Sequence, residues 1–325
     1  MILAGDIGGT KTLLALYQQQ GDDLKCIKKQ RFVSDEFKTF ESLLVEFLNN
    51  EKITAVCIGV AGPVMEGVCK ATNLPWVLKT SQIQAQVGVE HVVLLNDLEA
   101  TAWGILNLSA ENFVSLNPQA VARPGNIAIL AAGTGLGEAV IVWNGQSYHV
   151  MATEGGHTDF APTNEEEILL LRYLMACYPE HVSYERIVSG DGLVKIYQFL
   201  KQKSDFAVND ETELQMQTTD SAAVVSQNAI KGNDPLCVKA LTLFCRIYGA
   251  EAGNLALKCL PYGGVVLAGG IAAKVLPIIQ QGVLMKGFLA KGRYHELLAQ
   301  MPVKVCTNAE AALLGAAYYA SKVND

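Results

Sequence analysis

The sequence has few charged residues, and it has no run of lysines or arginines. Charged side chains make up 18% of the 325 residues, and the formal net charge is −7. Since nucleic acids and anionic membranes are bound through basic patches, we expect neither as a partner. Half of the residues are hydrophobic, which predicts a compact globular protein with a large core.

Paired-cysteine motifs and a secretion signal are also missing. The eight cysteines include no C-x-x-C pair, and several stand in apolar runs, so we interpret them as small buried hydrophobic residues. No basic segment followed by an apolar core and a cleavage site opens the chain. We therefore expect a protein of the reducing cytoplasm.

No stretch is typical of a membrane span. The most apolar one, Gly263 to Ile279, contains Lys274, Pro277 and four glycines. This composition favours a buried strand at Val265 to Ala268, a turn at Gly269-Gly270 and then a helix.

Two glycine-rich turns, Asp6 to Thr12 and Gly133 to Gly137, each lie between two apolar runs that are typical of strands. Glycines allow backbone N–H groups to approach a ligand closely, so each hairpin turn can hold phosphate oxygens. Two such turns indicate two halves of a chain that bind one nucleotide. The alternative, which either turn alone leaves open, is a tight hairpin without a ligand.

Other phosphate-binding motifs do not fit. No stretch matches the P-loop pattern G-x-x-x-x-G-K-[ST]. A dinucleotide fingerprint after Gly133 needs a third glycine where Glu138 stands, and a helix next. Strand-like residues follow instead, and Asn144-Gly145 predicts a hairpin.

The order of predicted elements repeats along the chain, which indicates a duplicated α/β plan. At this length two domains are the default. We predict a smaller α/β domain over residues 1–108 plus 303–325, to which the strand and helix of Val303 to Ala320 return, and a larger α/β domain over 109–302. We interpret Asp205 to Thr219 as a surface excursion. The main predicted helices are Phe40 to Leu48, Leu98 to Leu106, Glu165 to Met175, Tyr184 to Lys201, and Pro235, capped by Asp234, to about Leu260.

Five motifs in order carry a resemblance to a known family. They are Asp6-x-Gly8-Gly9-Thr10, Leu95-Asn96-Asp97, Gly133-Thr134-Gly135-Leu136-Gly137, Glu154-Gly155-Gly156-His157-Thr158-Asp159-Phe160-Ala161-Pro162, and Ala268-Gly269-Gly270-Ile271. Over about residues 2–317 the chain resembles the bacterial glucokinases, of the actin, hexokinase and heat-shock chaperone ATPase superfamily. The resemblance implies two domains of duplicated ribonuclease-H-like fold with a cleft between them. No cysteine follows His157 before Cys177, which points to the zinc-free branch.

The implied activity is ATP-dependent phosphorylation of D-glucose to glucose 6-phosphate. Asp97 would accept the proton of the 6-hydroxyl, and Asn96 would hydrogen-bond a neighbouring hydroxyl. Local sequence alone favours a simpler role, in which either residue caps the helix that begins near Leu98.

The resemblance also implies sugar ligands in the second half of the chain. Glu154 and His157 lie three residues apart in a glycine-containing loop and would bind adjacent hydroxyls, with Glu185 as a third ligand. From the residues alone, the loop could simply be solvated, and Glu185 could favour the dipole of a helix that starts after Ser183.

The nucleotide would be bound by the glycine turns. Asp6 would hold Mg²⁺ through water, and its alternative role is that of an Asx-turn residue. Gly269 and Gly270 would flank the adenosine, and their alternative role is a strand-to-helix turn. Lys11 is expected to face solvent. The residues implied to face phosphate are Gly8, Gly9, Thr10, Gly133, Thr134 and Gly135.

Three alternatives stay open: a kinase for another hexose, a sugar-independent actin-like ATPase, and a sugar-responsive regulator. Discrimination among hexoses depends on pocket geometry that spacing does not define. We expect the cleft to close on the sugar through hinges near residues 107–112 and 301–302. A homodimer is expected from the resemblance and from base rates.

Overall fold

The protein is a mixed α/β molecule with two compact units. The computed structural model describes residues 1–9, 11–21, 23–49, 51–72, 74–203 and 207–323. Unit 1 contains Met1–Asn112, Val150–Ala152 and Asn308–Asp325, and unit 2 contains Phe113–His149 and Thr153–Thr307.

The strands of the described residues are β1 Ile2–Ile7, β2 Lys11–Gln20, β3 Asp23–Val33, β4 Ala55–Val60, β5 Val64–Met65, β6 Val68–Lys70, β7 Val77–Lys79, β8 Val92–Asn96, β9 Phe113–Ser115, β10 Ile127–Ala132, β11 Leu136–Trp143, β12 Tyr148–Thr153, β13 Gly264–Ala268 and β14 Val303–Cys306. The helices are α1 Phe40–Leu48, α2 Thr80–Val87, α3 Asp97–Asn107, α4 Glu165–Cys177, α5 Gly190–Lys203, α6 Asp210–Thr218, α7 Ser221–Lys231, α8 Pro235–Cys259, α9 Gly269–Lys274, α10 Leu276–Ile279, α11 Val283–Leu289, α12 His295–Ala299 and α13 Ala311–Val323.

Two large sheets share one strand order. The first runs β3-β2-β1-β4-β8, and the second runs β12-β11-β10-β13-β14, with β9 added beyond β14. In the first sheet β1 and β2 form an antiparallel hairpin and β4 lies parallel to β1; in the second, β10 and β11 form the hairpin and β13 lies parallel to β10. The α/β duplication expected from the order of elements is therefore confirmed. A separate small antiparallel sheet, β5-β6-β7, was not predicted because its strands have only two or three residues each.

Parallel pairing aligns the ends of the central strands. In the first sheet Ile7 pairs with Val60, and Val60 pairs with Asn96. In the second sheet Ala131 pairs with Ala268. The carboxyl ends of parallel strands meet at one edge of a sheet, where α/β proteins bind their ligands. The turn after β1 and the residues after β8 therefore share one edge, as do the turn after β10 and the residues after β13.

Unit 1 depends on close contact between α3 and α13. A Cβ atom placed on Gly315 would lie 1.8 Å from the backbone oxygen of Ala100, and one on Gly104 would lie 2.0 Å from that of Ala311. The surrounding positions are alanine and leucine, including Leu313, and are buried. Small residues thus let two helix backbones touch beneath the first sheet.

Unit 2 is built around the long helix α8. Asp234 caps it through hydrogen bonds from the N–H groups of Leu236 and Cys237, at 2.8 and 3.3 Å, and Pro235 occupies its first turn. This confirms the predicted start. Most of the helix is buried in the larger hydrophobic core, which also contains α5 and β10 residues.

Several sequence-based expectations differ from the structure. The strand Val303–Cys306 pairs with β13 in the second sheet, whereas we expected it in the smaller domain with the final helix. Its alternating apolar residues fit either sheet, so only pairing decides. Of the eight cysteines, Cys26 and Cys177 are exposed and Cys259 is partly exposed, so the interpretation of all eight as buried is wrong for these three.

The region 184–201 is not one helix. Tyr184–Arg186 forms a single 3-10 turn, and α5 begins only at Gly190. At the start of α5 the N–H of Gly190 donates to the carbonyl of Gly133, at 2.9 Å. The expected surface excursion at 205–219 contains the short helix α6, capped by Asn209, while residues 205 and 206 lie outside the described residues.

The apolar stretch near residue 270 contains the predicted buried strand β13 and helices α9 and α10, but the expected separate turn at Gly269-Gly270 is absent, because α9 begins directly at Gly269, whose φ is positive. Within the described ranges, no helix combines the length and the hydropathy that crossing a bilayer requires.

We predict that Gly315→Ala destabilises unit 1. The added methyl carbon would lie 1.8 Å from the backbone oxygen of Ala100, so the Ala100 backbone would have to move. We expect a loss of about 3 kcal/mol from overpacking, which exceeds the gain of about 1 kcal/mol in helix propensity. Urea unfolding followed by circular dichroism measures it. Gly270→Ala is the matched control, because no atom lies within 4 Å of its added Cβ; equal midpoints for the two variants would contradict the prediction.

Candidate active site

The first glycine turn joins β1 to β2 and is held from below by serine and threonine. The N–H of Gly8 donates to the carbonyl of Lys11, at 3.0 Å. Ser34 donates to the carbonyl of Gly8 at 3.3 Å and shares a 3.0 Å hydrogen bond with buried Thr12. Ser34 was not among the predicted residues, because it follows the distant strand β3. Thr10, a predicted phosphate ligand, lies outside the described residues.

Asp6 is the acidic group of this turn. It stands near the end of β1, and burial, followed by the charge of Asp97, raises its pKa from 3.8 to about 6. Lys11 lowers the pKa in part, although its side chain is exposed as expected. The negative charges of Asp6 and Asp97 repel each other. A site of negative potential of this kind favours a bound cation.

Asn96 and Asp97 mark the start of α3, beside the first turn. The N–H of Leu98 donates to Oδ1 of Asn96 at 2.9 Å and to Oδ1 of Asp97 at 2.8 Å. The amide of Asn96 also donates to the carbonyl of Gly62, at 3.2 Å. The capping role considered from the sequence is therefore present. It orients both side chains at the sheet edge and is compatible with ligand binding there.

Helix α3 approaches the sheet closely because residue 59 is glycine. A Cβ on Gly59 would lie 2.9 Å from the Cβ of Ala100 and 3.9 Å from the Cα of Asp97. The missing side chain brings the start of α3 down onto β4, which sets the height of Asp97 above the first sheet.

The second glycine turn joins β10 to β11. Ala132 pairs with Leu136, and the N–H of Gly133 donates to the carbonyl of Gly135, at 2.8 Å. Thr134 at the tip is exposed. This geometry leaves the backbone of the turn open at the edge of the second sheet.

Glu185 packs directly on this turn. Its Oε2 accepts the N–H of Leu136 at 3.1 Å, and a Cβ on Gly135 would lie 2.3 Å from the same oxygen. Residue 135 therefore has no space for a side chain. Glu185 does lie in the first turn of a helix that starts after Ser183, but this helix is the single 3-10 turn Tyr184–Arg186 rather than the start of α5.

The structure brings the three predicted sugar ligands of unit 2 together. His157 Nε2 lies 3.9 Å from Glu154 Oε2, and His157 Nδ1 lies 3.9 Å from Glu185 Oε1. These distances are too long for direct hydrogen bonds. The side chains of Glu154, His157 and Glu185 are 74%, 56% and 25% exposed, respectively, so an imidazole and two carboxylates present polar atoms to a ligand on this surface.

Gly269 lies at the base of the second turn. Its φ is +80°, and a Cβ there would lie 2.6 Å from the carbonyl oxygen of Ala132. Gly270 has open space where its Cβ would be. The predicted adenosine-flanking pair is thus adjacent to the second hairpin, with Gly269 required by the backbone and Gly270 leaving free surface.

Sequence reasoning missed a buried pair of acidic residues next to the loop that carries Glu154 and His157. Glu138 and Glu251 are both fully buried, and burial together with Glu251 raises the pKa of Glu138 from 4.5 to about 8. Burial also raises the pKa of Glu251. The available signal was an acidic residue within each of two apolar runs, which we used for Glu138 only to exclude a dinucleotide motif. Among the described residues no three His, Cys, Asp or Glu side chains are grouped as metal ligands.

Comparison with known proteins agrees with this arrangement. The family model described as Glucokinase matches residues 3–323. The chain is 40% identical to the glucokinase of Synechocystis sp., covering 98% of both chains, and 39% identical to that of Nostoc sp., covering 99% of both. The crystal structure of a glucokinase from an Antarctic psychrotroph superposes with a TM-score of 0.85 at 28% identity, covering 99% of this chain and 98% of that one.

These matches span both sheets, both glycine turns and every motif that suggested the resemblance. The two-unit actin-like ATPase fold with its repeated strand order is therefore the fold of this protein. This chain belongs to the glucokinase family.

Proposed function

We propose that this protein transfers the γ-phosphoryl group of ATP to the 6-hydroxyl of D-glucose, giving glucose 6-phosphate. The observation that carries the proposal is the row Ile7, Val60 and Asn96, which aligns Asp97 with the first glycine turn at one sheet edge. A base beside a phosphate-binding turn is what phosphoryl transfer to an alcohol requires. The glucokinase activity named for the relatives supports the same reaction.

Asp97 is the proposed general base. Its carboxylate lies in the first turn of α3 and accepts the N–H of Leu98. The N-terminal end of a helix favours a negatively charged group, which suits a carboxylate at this position. As the 6-hydroxyl oxygen attacks phosphorus, its proton passes to Asp97.

Asn96, Glu154, His157 and Glu185 are the proposed ligands of the other sugar hydroxyls. Carboxylates accept hydrogen bonds, and the imidazole and amide can donate them, so the set can bind vicinal hydroxyls in both senses. Glu185 also accepts the N–H of Leu136, so its position depends on the second glycine turn. We expect sugar binding and the geometry of this turn to be coupled for that reason.

The two glycine turns are the proposed phosphate ligands, and the proposed residues are Gly8, Gly9, Thr10, Gly133, Thr134 and Gly135. Gly269 and Gly270 would flank the adenosine. Asp6 would hold Mg²⁺ through water; the hard oxygen donors of Asp6 and nearby Asp97 fit this cation. When bound, Mg²⁺ supplies neutralisation of the phosphate charge.

The cellular location and the oligomeric state stay proposals. We infer a cytoplasmic enzyme, because its proposed substrates are the phosphorylated nucleotide and free sugar of central metabolism. We infer a homodimer from base rates for soluble oligomers. Light scattering coupled to size-exclusion chromatography tests the second inference.

ADP release measured across a panel of hexoses tests the proposed reaction. We expect turnover with glucose to exceed turnover with mannose, fructose and galactose. A different preferred hexose would replace the proposed substrate, while ADP release without any sugar would favour an actin-like ATPase.

We predict that Asp97→Asn lowers kcat by roughly 10²–10⁴-fold while glucose binding stays within a few fold, because the amide keeps the hydrogen bond and loses the base. Steady-state kinetics and glucose titration calorimetry measure the two effects. Glu99→Gln is the control, since Glu99 lies in the same turn of α3 and accepts the N–H of Asn96. Near-normal turnover of Asp97→Asn would remove the assignment.

We predict that stabilisation by Mg²⁺-nucleotide weakens as the pH falls through about 6, where Asp6 gains a proton. The pKa of Asp6 is raised in the folded state, so protonation stabilises the unliganded protein at lower pH while it removes the cation ligand. Thermal unfolding with and without Mg²⁺-nucleotide between about pH 5 and pH 8 measures the difference. Asp6→Asn should show a small gain that is independent of pH, and an undiminished gain for the unaltered protein at pH 5 would contradict the role.

A further inference from the structure

We propose that Glu138 and Glu251 are positioning residues: they share one proton and hold both loops of the proposed sugar site, so that glucose affinity falls when the proton is lost. This inference rests on the proposed function for its effect on glucose. The acid pair itself is a property of the fold and has a separate test.

The burial of the two carboxyl groups requires a proton. Glu138 is 1% exposed on β11, and Glu251 is 0% exposed in α8. Each has a buried Oε1 that no hydrogen-bond donor of the described residues reaches. Two ionised carboxylates, each with one oxygen that no donor reaches, are costly in a protein interior, both through desolvation and through repulsion. A single proton between them gives one group a donor and the other an acceptor.

Glu138 supports the loop that carries Glu154 and His157. A Cβ on Gly155 would lie 2.3 Å from Oε2 of Glu138, so the carboxyl group packs directly on the backbone of this loop. The hydroxyl of Thr153 donates to the carbonyl of Glu138 at 2.7 Å and accepts the N–H of Gly155 at 3.1 Å. A change of charge on Glu138 therefore acts on the loop without an intervening side chain.

Glu251 supports the turn that carries Glu185. The amide of Asn254 donates to Oε2 of Glu251 at 2.8 Å and to the hydroxyl oxygen of Tyr184 at 2.9 Å, and Tyr184 also hydrogen-bonds Glu251. The N–H of Tyr184 donates to the carbonyl of Thr158, at 3.0 Å, which joins this turn to the first loop. The loop of Glu154 and His157 and the turn of Glu185 are thus both in contact with the same acid pair.

The charged and titratable groups that face the pair do not remove the need for a proton. Lys258, which lies in α8 like Glu251, and Lys291 both favour a negative charge on Glu251. Lys291, however, donates its hydrogen bond to Asn254 and not to the pair. The other titratable groups that interact with the pair are Tyr184, Tyr248 and Cys259, which are neutral at pH 7.

The direction of the pH effect follows from the raised pKa of Glu138, about 8. The two groups titrate as one unit. Below about pH 8 the pair holds its proton, and it supports the loop of Glu154 and His157 and the turn of Glu185. Above this pH both carboxyl groups are ionised, so a second negative charge lies next to Gly155. The folded protein binds this proton more tightly than the unfolded chain does, so its contribution to stability also decreases as the pH rises to about 8.

Glu138→Gln is the decisive variant, because its amide can donate to Glu251 at every pH. For the unaltered protein we expect KM for glucose to rise about fivefold or more as the pH rises from about 7 to about 9.5, with a smaller change in kcat. For Glu138→Gln we expect a KM that is flat over the same range. Glu167→Gln is the matched control: Glu167 is also buried, but it pairs with Arg246 and Thr163, so its KM should follow the unaltered protein.

Infrared spectroscopy tests the pair independently of any activity. We expect the carbonyl stretch of a protonated carboxylic acid at pH 7, its disappearance as the pH rises through about 8, and its absence in Glu138→Gln. If that variant does not fold, Glu251→Gln is used, because the amide can then donate to Glu138. If the unaltered protein had no kinase activity, the proposed function would be overturned. The infrared result alone would then test whether Glu138 and Glu251 share a proton. Absence of the acid band at pH 7, or a Glu138→Gln KM that rises like that of the unaltered protein, would overturn the inference.

Discussion

Parallel pairing at the centre of each sheet is the constraint on which the rest of the structure depends. Ile7, Val60 and Asn96 stand in one row of the first sheet, and Ala131 pairs with Ala268 in the second. The glycines of both turns, Asp97 and Gly269 each follow the end of one of these strands. A slip of one register position would reverse the faces of each strand and separate the turns from their neighbours.

The second constraint is the need for glycine at two positions. At each of them a carboxyl group packs on the backbone in the space that a side chain would fill. Glu185 occupies the place of a Gly135 side chain, and Glu138 occupies that of Gly155. These glycines serve close packing of a carboxyl group on a backbone rather than flexibility. The G-T-G-L-G and E-G-G-H motifs are therefore linked to acids far away in the sequence, and each motif has its meaning only together with its acid.

The carboxyl groups of the molecule take different roles because their surroundings differ. Burial and a like charge raise the pKa of Asp6 to about 6, so most of this carboxyl group is ionised at neutral pH. Burial beside Glu251 raises the pKa of Glu138 to about 8. Glu167 is also buried, but hydrogen bonds from Thr163 and Arg246 lower its pKa. The same functional group thus has a raised pKa in Asp6 and Glu138 and a lowered pKa in Glu167, according to what surrounds it.

The sequence by itself determined the hairpins around both glycine turns, the start of α8 at Asp234-Pro235 and the motif order, because turn chemistry, capping and apolar periodicity are local. It could not place the strand Val303–Cys306, which fits either sheet by pattern, nor separate the turn of Glu185 from the helix that follows. Only the tertiary structure decided that Glu185 covers Gly135, and that Glu138 meets Glu251 beneath Gly155. Those contacts join residues tens of positions apart, and a pairing of that kind depends on which surfaces are buried together rather than on any local pattern.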